Sequence, residues 1–116
     1  MNRIAQKSIH FIKIIIKLIT GVPFLTLSIF GNLIVGLFAL VVYFLEKDIN
    51  PKLNTYLDSL WWSFSTTTTV GYGDIVPITD TGKVIGIGLM LVGVALFSIY
   101  TALFARAILD DPDYMD

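Results

Sequence analysis

Between two long apolar stretches the chain carries Thr68-Thr69-Val70-Gly71-Tyr72-Gly73-Asp74. Glycines at alternate positions accept backbone angles that a side chain forbids, so successive peptide carbonyls there can all face one axis. The carbonyls of Thr69, Val70, Gly71 and Tyr72, with the Thr69 hydroxyl, would then make stacked rings of oxygen. Inside a membrane such a column can replace the water shell of a potassium ion, and adjacent sites let an entering ion displace a leaving one. One chain supplies only part of each ring, so this chemistry requires a fourfold assembly of identical chains. Other chemistries find little material. Cysteine is absent and His10 is the sole histidine, which excludes disulfides and thiolate centres and speaks against a histidine metal site. Gly71-Tyr72-Gly73 lacks the third glycine of the nucleotide-binding loop, and no parallel-sheet pattern surrounds it. No convergent set of acid, base and nucleophile is present, so no enzyme, no cofactor and no nucleic-acid partner are expected.

An oxygen column needs a frame, and the remaining sequence describes one. Of 116 residues 55% are hydrophobic, and the mean hydropathy is +0.78. The apolar residues concentrate in two runs, each long enough to cross a hydrocarbon core of roughly 30 Å. The formal charge of −1 says less than its distribution. The first run predicts an outer helix over 23–45 without a charge; its Asn32 reads as an interhelical contact near Gly31 and Gly36, and Tyr43 as an interfacial aromatic. The second predicts an inner helix over 82–109, with Arg106 snorkelling at its end. Between them, residues 46–54 read as a polar, aqueous loop interrupted by Pro51. A pore helix over 56–68, capped by Asn54 or Thr55, is too short to span and must be re-entrant. Irregular backbone at 69–73 is then tolerated only inside protein or along a water-filled cavity. The expected fold class is an all-α membrane protein whose pore domain, 23–109, holds two transmembrane helices, a re-entrant pore helix and a filter loop, assembled as a tetramer.

Residues 1–22 read as a basic amphipathic helix. Arg3, Lys7, His10, Lys13 and Lys17 follow spacings of three and four, while Ile4, Phe11, Ile12, Ile15, Leu18 and Ile19 cover the opposite side. Such a helix lies in the membrane interface, and Arg3, Lys7, Lys13 and Lys17 would attract anionic headgroups. Lys13 and Lys17 interrupt the apolar core and no small-residue cleavage site follows, so the segment is expected to be structure and not a signal peptide. Gly21-Val22-Pro23 should break the helix and turn the chain into the bilayer. The distribution of lysine and arginine places both termini in the cytoplasm, in a multi-pass cell-membrane protein with its filter outside. The tail, 110–116, is acidic and expected to be disordered.

Thr69-Val70-Gly71-Tyr72-Gly73 resembles, residue for residue, the selectivity filter of potassium channels. The resemblance extends from about Leu60 to Ala105, the first apolar helix matching in character only. Leu60-Trp61-Trp62-Ser63 through Asp74 is similar to the pore helix and filter of that family in general. Pro77, Gly82-Lys83 and Gly93 resemble the spacing in pore modules of voltage-gated members, whereas Phe97, Thr101-Ala102 and Ala105 look more like a bacterial two-span channel. The resemblance implies a potassium-selective subunit that conducts passively, with potassium held at Thr69, Val70, Gly71 and Tyr72, and Gly73 completing the filter. It also implies that Trp62 and Tyr72 form an aromatic cuff, that Asp74 bonds towards Trp62, and that Ser65 and Thr68 support the filter. Certain bacterial channels place a glutamate where Ser65 stands; serine cannot form that carboxyl pair, so acid-linked filter inactivation is not carried over. The Pro-x-Pro kink of many voltage-gated inner helices is replaced by Tyr100 and Ala102, which favours a straighter helix with a bundle crossing. Gly93 is a candidate hinge, or a small residue permitting close packing as Gly82, Gly86 and Gly88 do. Phe97, Thr101 and Ala105 recur every fourth residue and form a candidate gate stripe. The alternatives are a pore module excised from a larger voltage- or ligand-gated channel, or a weakly selective cation channel; a non-conducting membrane adaptor would have no use for the filter string.

Overall fold

A computed structural model describes residues 2–112. Its regular elements are four helices: α1 (Arg3–Ile19), α2 (Val22–Glu46), α3 (Tyr56–Thr67) and α4 (Asp80–Leu109). Of the acidic tail, positions 113–116 lie outside the described residues. The 25 residues of α2 and 30 of α4 are long and apolar enough to cross a membrane. The 12 residues of α3 are not: at 1.5 Å per residue they reach about 18 Å.

Each boundary has a local cause. The Asn2 side chain accepts from Ala5 N at 2.8 Å and starts α1. Thr20 caps its other end, and Gly21 alone separates that cap from α2. The break is therefore shorter than Gly21-Val22-Pro23, because Pro23 sits in the first turn of α2, where a missing N–H costs nothing. Thr55 and Asp58 form a reciprocal capping box on α3, with Asp58 N donating to Thr55 Oγ1 at 3.1 Å and Thr55 N to Asp58 Oδ2 at 3.0 Å. The Asp58 carboxylate is held below its usual range, first by the Asn54 N–H and then by that of Thr55. α3 stops one residue earlier than expected, with Thr68 as its cap. α4 starts two residues earlier than expected, at Asp80, because the Thr79 hydroxyl accepts from Gly82 N at 2.9 Å and the Thr79 carbonyl accepts from Lys83 N at 2.9 Å.

The chain divides into two compact units. One is Phe30–Phe97, and the other combines the residues before and after it. The core of Phe30–Phe97 is Val35, Val42, Leu53, Trp62 and Leu89, with Phe38, Tyr43, Ile75, Ile85 and Leu96 packed on it. Hydroxyls tie α3 to α2: Ser59 donates to the Ala39 carbonyl at 2.6 Å and Tyr56 to that of Gly36 at 2.9 Å. Leu33, Leu37 and Phe44 point outward from α2, as a lipid-facing surface would. Asn32 is exposed, and the interhelical bond expected of it is not made among the described residues. In the other unit Phe24 meets Tyr100 and Phe104 edge-on, at 5.3 and 6.2 Å between ring centroids. Tyr100 Oη donates to Ser28 Oγ at 2.8 Å.

Candidate functional site

The strand from Thr68 to Asp74 has an unusual backbone. Thr69, Gly71 and Gly73 have φ of +66°, +62° and +77°, and Thr69 is the one non-glycine residue in the left-handed region among those described. Residues of alternating hand put successive N–H groups on one side of a chain and hence the carbonyls on the other. The N–H side faces α3: Thr69 N donates to the Thr66 carbonyl at 3.2 Å and Gly71 N to the Ser65 carbonyl at 3.0 Å. Tyr72 N donates to Ser65 Oγ at 3.0 Å. No hydrogen bond among the described residues ends on the carbonyls of Thr69, Val70, Gly71 or Tyr72. A β-branched residue held at positive φ costs about 1–3 kcal/mol, so Thr69 is strained for the sake of that alignment. Within one chain the strand is open, with Val70 55% and Tyr72 65% exposed.

Two adjacent tryptophans on α3 take different roles, and here the sequence-based expectation is corrected. Trp61, not Trp62, donates its indole N–H to Asp74 Oδ2 at 2.9 Å. Trp61 also stacks on Tyr72, at 5.4 Å between centroids and 11° between planes. Neighbouring residues on a helix point about 100° apart, so Trp62 is turned into the core, where it is 4% exposed and lies under Gly86. Ser65 holds the strand from behind through both its carbonyl and its hydroxyl. Thr68 Oγ1 turns back to the Phe64 carbonyl at 2.6 Å and closes the end of α3.

Two further anchors were missed from the sequence. Sequence alone puts Glu46 in an aqueous loop; in the structure it ends α2 and is fully buried. Its carboxylate accepts from Ile78 N and, at 3.2 and 3.3 Å, from Thr79 N. These donors precede the first turn of α4, where a helix N-terminus favours a negative charge. Asn50, 3% exposed, donates through Nδ2 to the Val76 carbonyl at 2.8 Å and accepts from Lys52 N at 3.1 Å. The signal was present: Glu46 follows an apolar run directly, so its first methylenes continue the buried stripe of Val35, Ala39 and Val42.

The glycines of α4 serve close approach. A Cβ on Gly82 would lie 2.8 Å from Thr79 Oγ1, one on Gly86 3.1 Å from the Trp62 ring, and one on Gly88 3.5 Å from the Phe38 ring. Gly93 faces the backbone of Thr67. Phe97, Thr101 and Ala105 are all exposed on α4. On α1 the one buried residue, Ile14, lies within the basic stripe between His10 and Lys17. His10 Nε2 meets Asp111 Oδ1 at 3.0 Å, while Ile4, Phe11, Ile12 and Ile19 are exposed. The basic face is thus shared with an acidic residue of the chain itself, because Asp111 lies just two residues beyond the end of α4.

Two membrane-capable helices, a short third helix and a strand of aligned carbonyls define a pore-forming class of membrane protein. The family model described as "Ion channel" matches residues 30–110, and the chain belongs to that family. It is 40% identical over 80 residues to a "Voltage-gated potassium channel" of Aeropyrum pernix, covering 65% of this chain and 27% of that one. It is 42% identical over 69 residues to the human "Potassium voltage-gated channel subfamily KQT member 4", covering 60% of this chain and 10% of the relative. The chain therefore spans about a quarter or less of the curated relatives it matches. A crystal structure of a voltage-gated K+ channel pore module, in a closed state in lipid membranes, superposes with a TM-score of 0.55. It is 37% identical, over 66% of this chain and 84% of that one.

Proposed function

We propose that the chain is the pore-forming subunit of a potassium-selective channel, conducting passively through Thr69-Val70-Gly71-Tyr72-Gly73. The observation that carries this reading is the alternating-hand strand, in which the N–H groups of Thr69, Gly71 and Tyr72 are engaged on the α3 side while the carbonyls of Thr69 to Tyr72 are left without a donor among the described residues. Four copies around an axis would close the oxygen rings and cover the exposed Val70 and Tyr72. Potassium is then the cargo, and no cofactor is needed. Membership of a family described as ion channels and the named potassium channels among the relatives support the choice of ion. Both termini are cytoplasmic in this reading, with α1 on the inner leaflet. There Arg3, Lys7, Lys13 and Lys17 meet anionic headgroups, and the exposed isoleucines enter the acyl boundary.

The test is potassium against sodium flux in proteoliposomes, with Gly73→Ala as control. Gly73 has φ +77°, so alanine there disturbs the last carbonyls of the column. Strong potassium preference, abolished in Gly73→Ala, is the expected result. Equal flux of both ions through the unaltered chain would make it a non-selective cation pore.

A further inference from the structure

Gly93 stands where α4 passes the C-terminal end of α3. A Cβ built there would lie 2.8 Å from Thr67 Cα, 2.9 Å from the Thr67 carbonyl oxygen and 3.3 Å from its carbonyl carbon. All three neighbours are backbone. At Gly86 and Gly88 the nearest atoms belong instead to the rings of Trp62 and Phe38, which can rotate or shift. Ordinary contact begins at 3.4 Å, so any side chain on Gly93 must drive α4 and the end of α3 apart.

The backbone it would displace leads straight into the filter. Thr67 is the last residue of α3, Thr68 is its cap, and Thr69 is the first residue of the strand at positive φ. The link is stiff: Thr68 N bonds the Phe64 carbonyl at 3.0 Å and Thr69 N the Thr66 carbonyl at 3.2 Å. Displacing Thr67 therefore displaces Thr69, which supplies both a carbonyl and a hydroxyl to the column. Side-chain bonding offers little resistance, because the Thr67 hydroxyl is buried without a hydrogen-bond partner. Beyond the backbone bonds of α3 itself, contact with α4 is what sets the position of this residue.

We infer that Gly93 is a positioning residue of the filter: its missing side chain seats α4 directly on the Thr67 peptide and so fixes the innermost oxygen ring. The inference rests on the potassium-channel reading above. It differs from a hinge in what it predicts. A hinge glycine supplies flexibility, and a side chain there alters opening while leaving ion preference untouched. A seating glycine sets ring geometry, on which cation choice depends.

Gly93→Ala and Gly88→Ala separate the two, since both replace a glycine of the same helix and stiffen it by a similar ~1 kcal/mol. Each variant is reconstituted in liposomes and read for the potassium-to-sodium permeability ratio. The potassium concentration that half-protects the assembly against heat is measured alongside. The unaltered chain and Gly88→Ala should both prefer potassium. Gly93→Ala should need about tenfold more potassium for protection, the shift that a 1.4 kcal/mol weakening produces, and its permeability ratio should fall. Unchanged ratio and midpoint in Gly93→Ala, with only the open fraction altered, would overturn the inference in favour of a hinge. If Gly93→Ala alone does not assemble, one Gly93→Ala copy is joined in tandem to three unaltered copies, and only assemblies of that linked chain are read. A lowered ratio in the linked assembly then supports the seat, and an unaltered ratio overturns it. Loss of preference in the unaltered chain would instead sink the potassium reading, and this inference with it.

Discussion

The filter strand and the loop after it are consecutive in the chain yet held in different ways. From Thr69 to Gly73 every residue is exposed, three sit at positive φ, and α3 reaches the strand chiefly through Ser65 and the Trp61 ring. From Val76 to Thr79 the loop is gripped by buried groups: Asn50 on the Val76 carbonyl and Glu46 on the N–H groups of Ile78 and Thr79, with Pro77 itself buried. A strained segment cannot hold its own shape, so its ends must be fixed by something rigid. α3 fixes one end and the α2–α4 junction fixes the other. The contrast predicts that substitutions on the loop side act on stability, whereas those on the strand side act on conduction.

The largest effect should come from Glu46→Ala. It removes a buried carboxylate and leaves two backbone donors without an acceptor at the start of α4, a cost of roughly 3 kcal/mol or more. Thermal unfolding of the protein in lipid nanodiscs should show a large loss, and Glu46→Gln, which keeps one acceptor oxygen, a smaller one. A Glu46→Ala protein as stable as the parent would mean that the loop does not depend on this anchor.

Next comes Trp61→Phe, which retains a ring to stack on Tyr72 but loses the N–H that reaches Asp74. Both groups are exposed, so stability should change by less than about 1 kcal/mol. Sustained potassium flux should decline, because the outer end of the strand loses its lateral tie. If Trp61→Phe destabilised the protein as much as Glu46→Ala, the division between the two regions would fail.

That division was only half legible in the sequence. Helical class and membrane-length elements follow from hydropathy runs, and the strand from its alternating glycines, because both are local properties of the chain. The anchors are not local. Glu46 and Asn50 bond to residues 26–33 positions away, and polar residues beside a proline read first as a solvated loop. Trp61 and Trp62 are identical in type, and only the rotational phase of α3 decides which meets Tyr72. Asn32 shows the reverse error, since a polar residue near glycines suggested a contact that the chain does not form by itself. Gly93 could not be resolved between hinge and packing, because sequence carries no distance to the Thr67 backbone.

The smallest predicted effect tests whether α3 is as firm a mount as the α2–α4 junction. Asp58 accepts from the backbone N–H groups of Asn54 and Thr55, and these bonds hold its carboxyl below the usual carboxylate range. A folded-state value below the unfolded one means that the carboxylate contributes stability fully above the unfolded value. That contribution is lost as pH falls through the folded one. The difference in thermal stability between the parent and Asp58→Ala should therefore be constant from neutral pH down to about pH 5, and shrink at lower pH as the unfolded-state value near 3.9 is passed. Protection of the Asn54 and Thr55 amides, measured against the intrinsic exchange rate at each pH, should fall over the same range in the parent alone. Because the cap is exposed, the strand beyond Ser65 should keep its potassium preference throughout. Were preference to fade together with the cap, α3 would be the weaker of the two mounts, and the filter's geometry would depend on its first turn as well as its last.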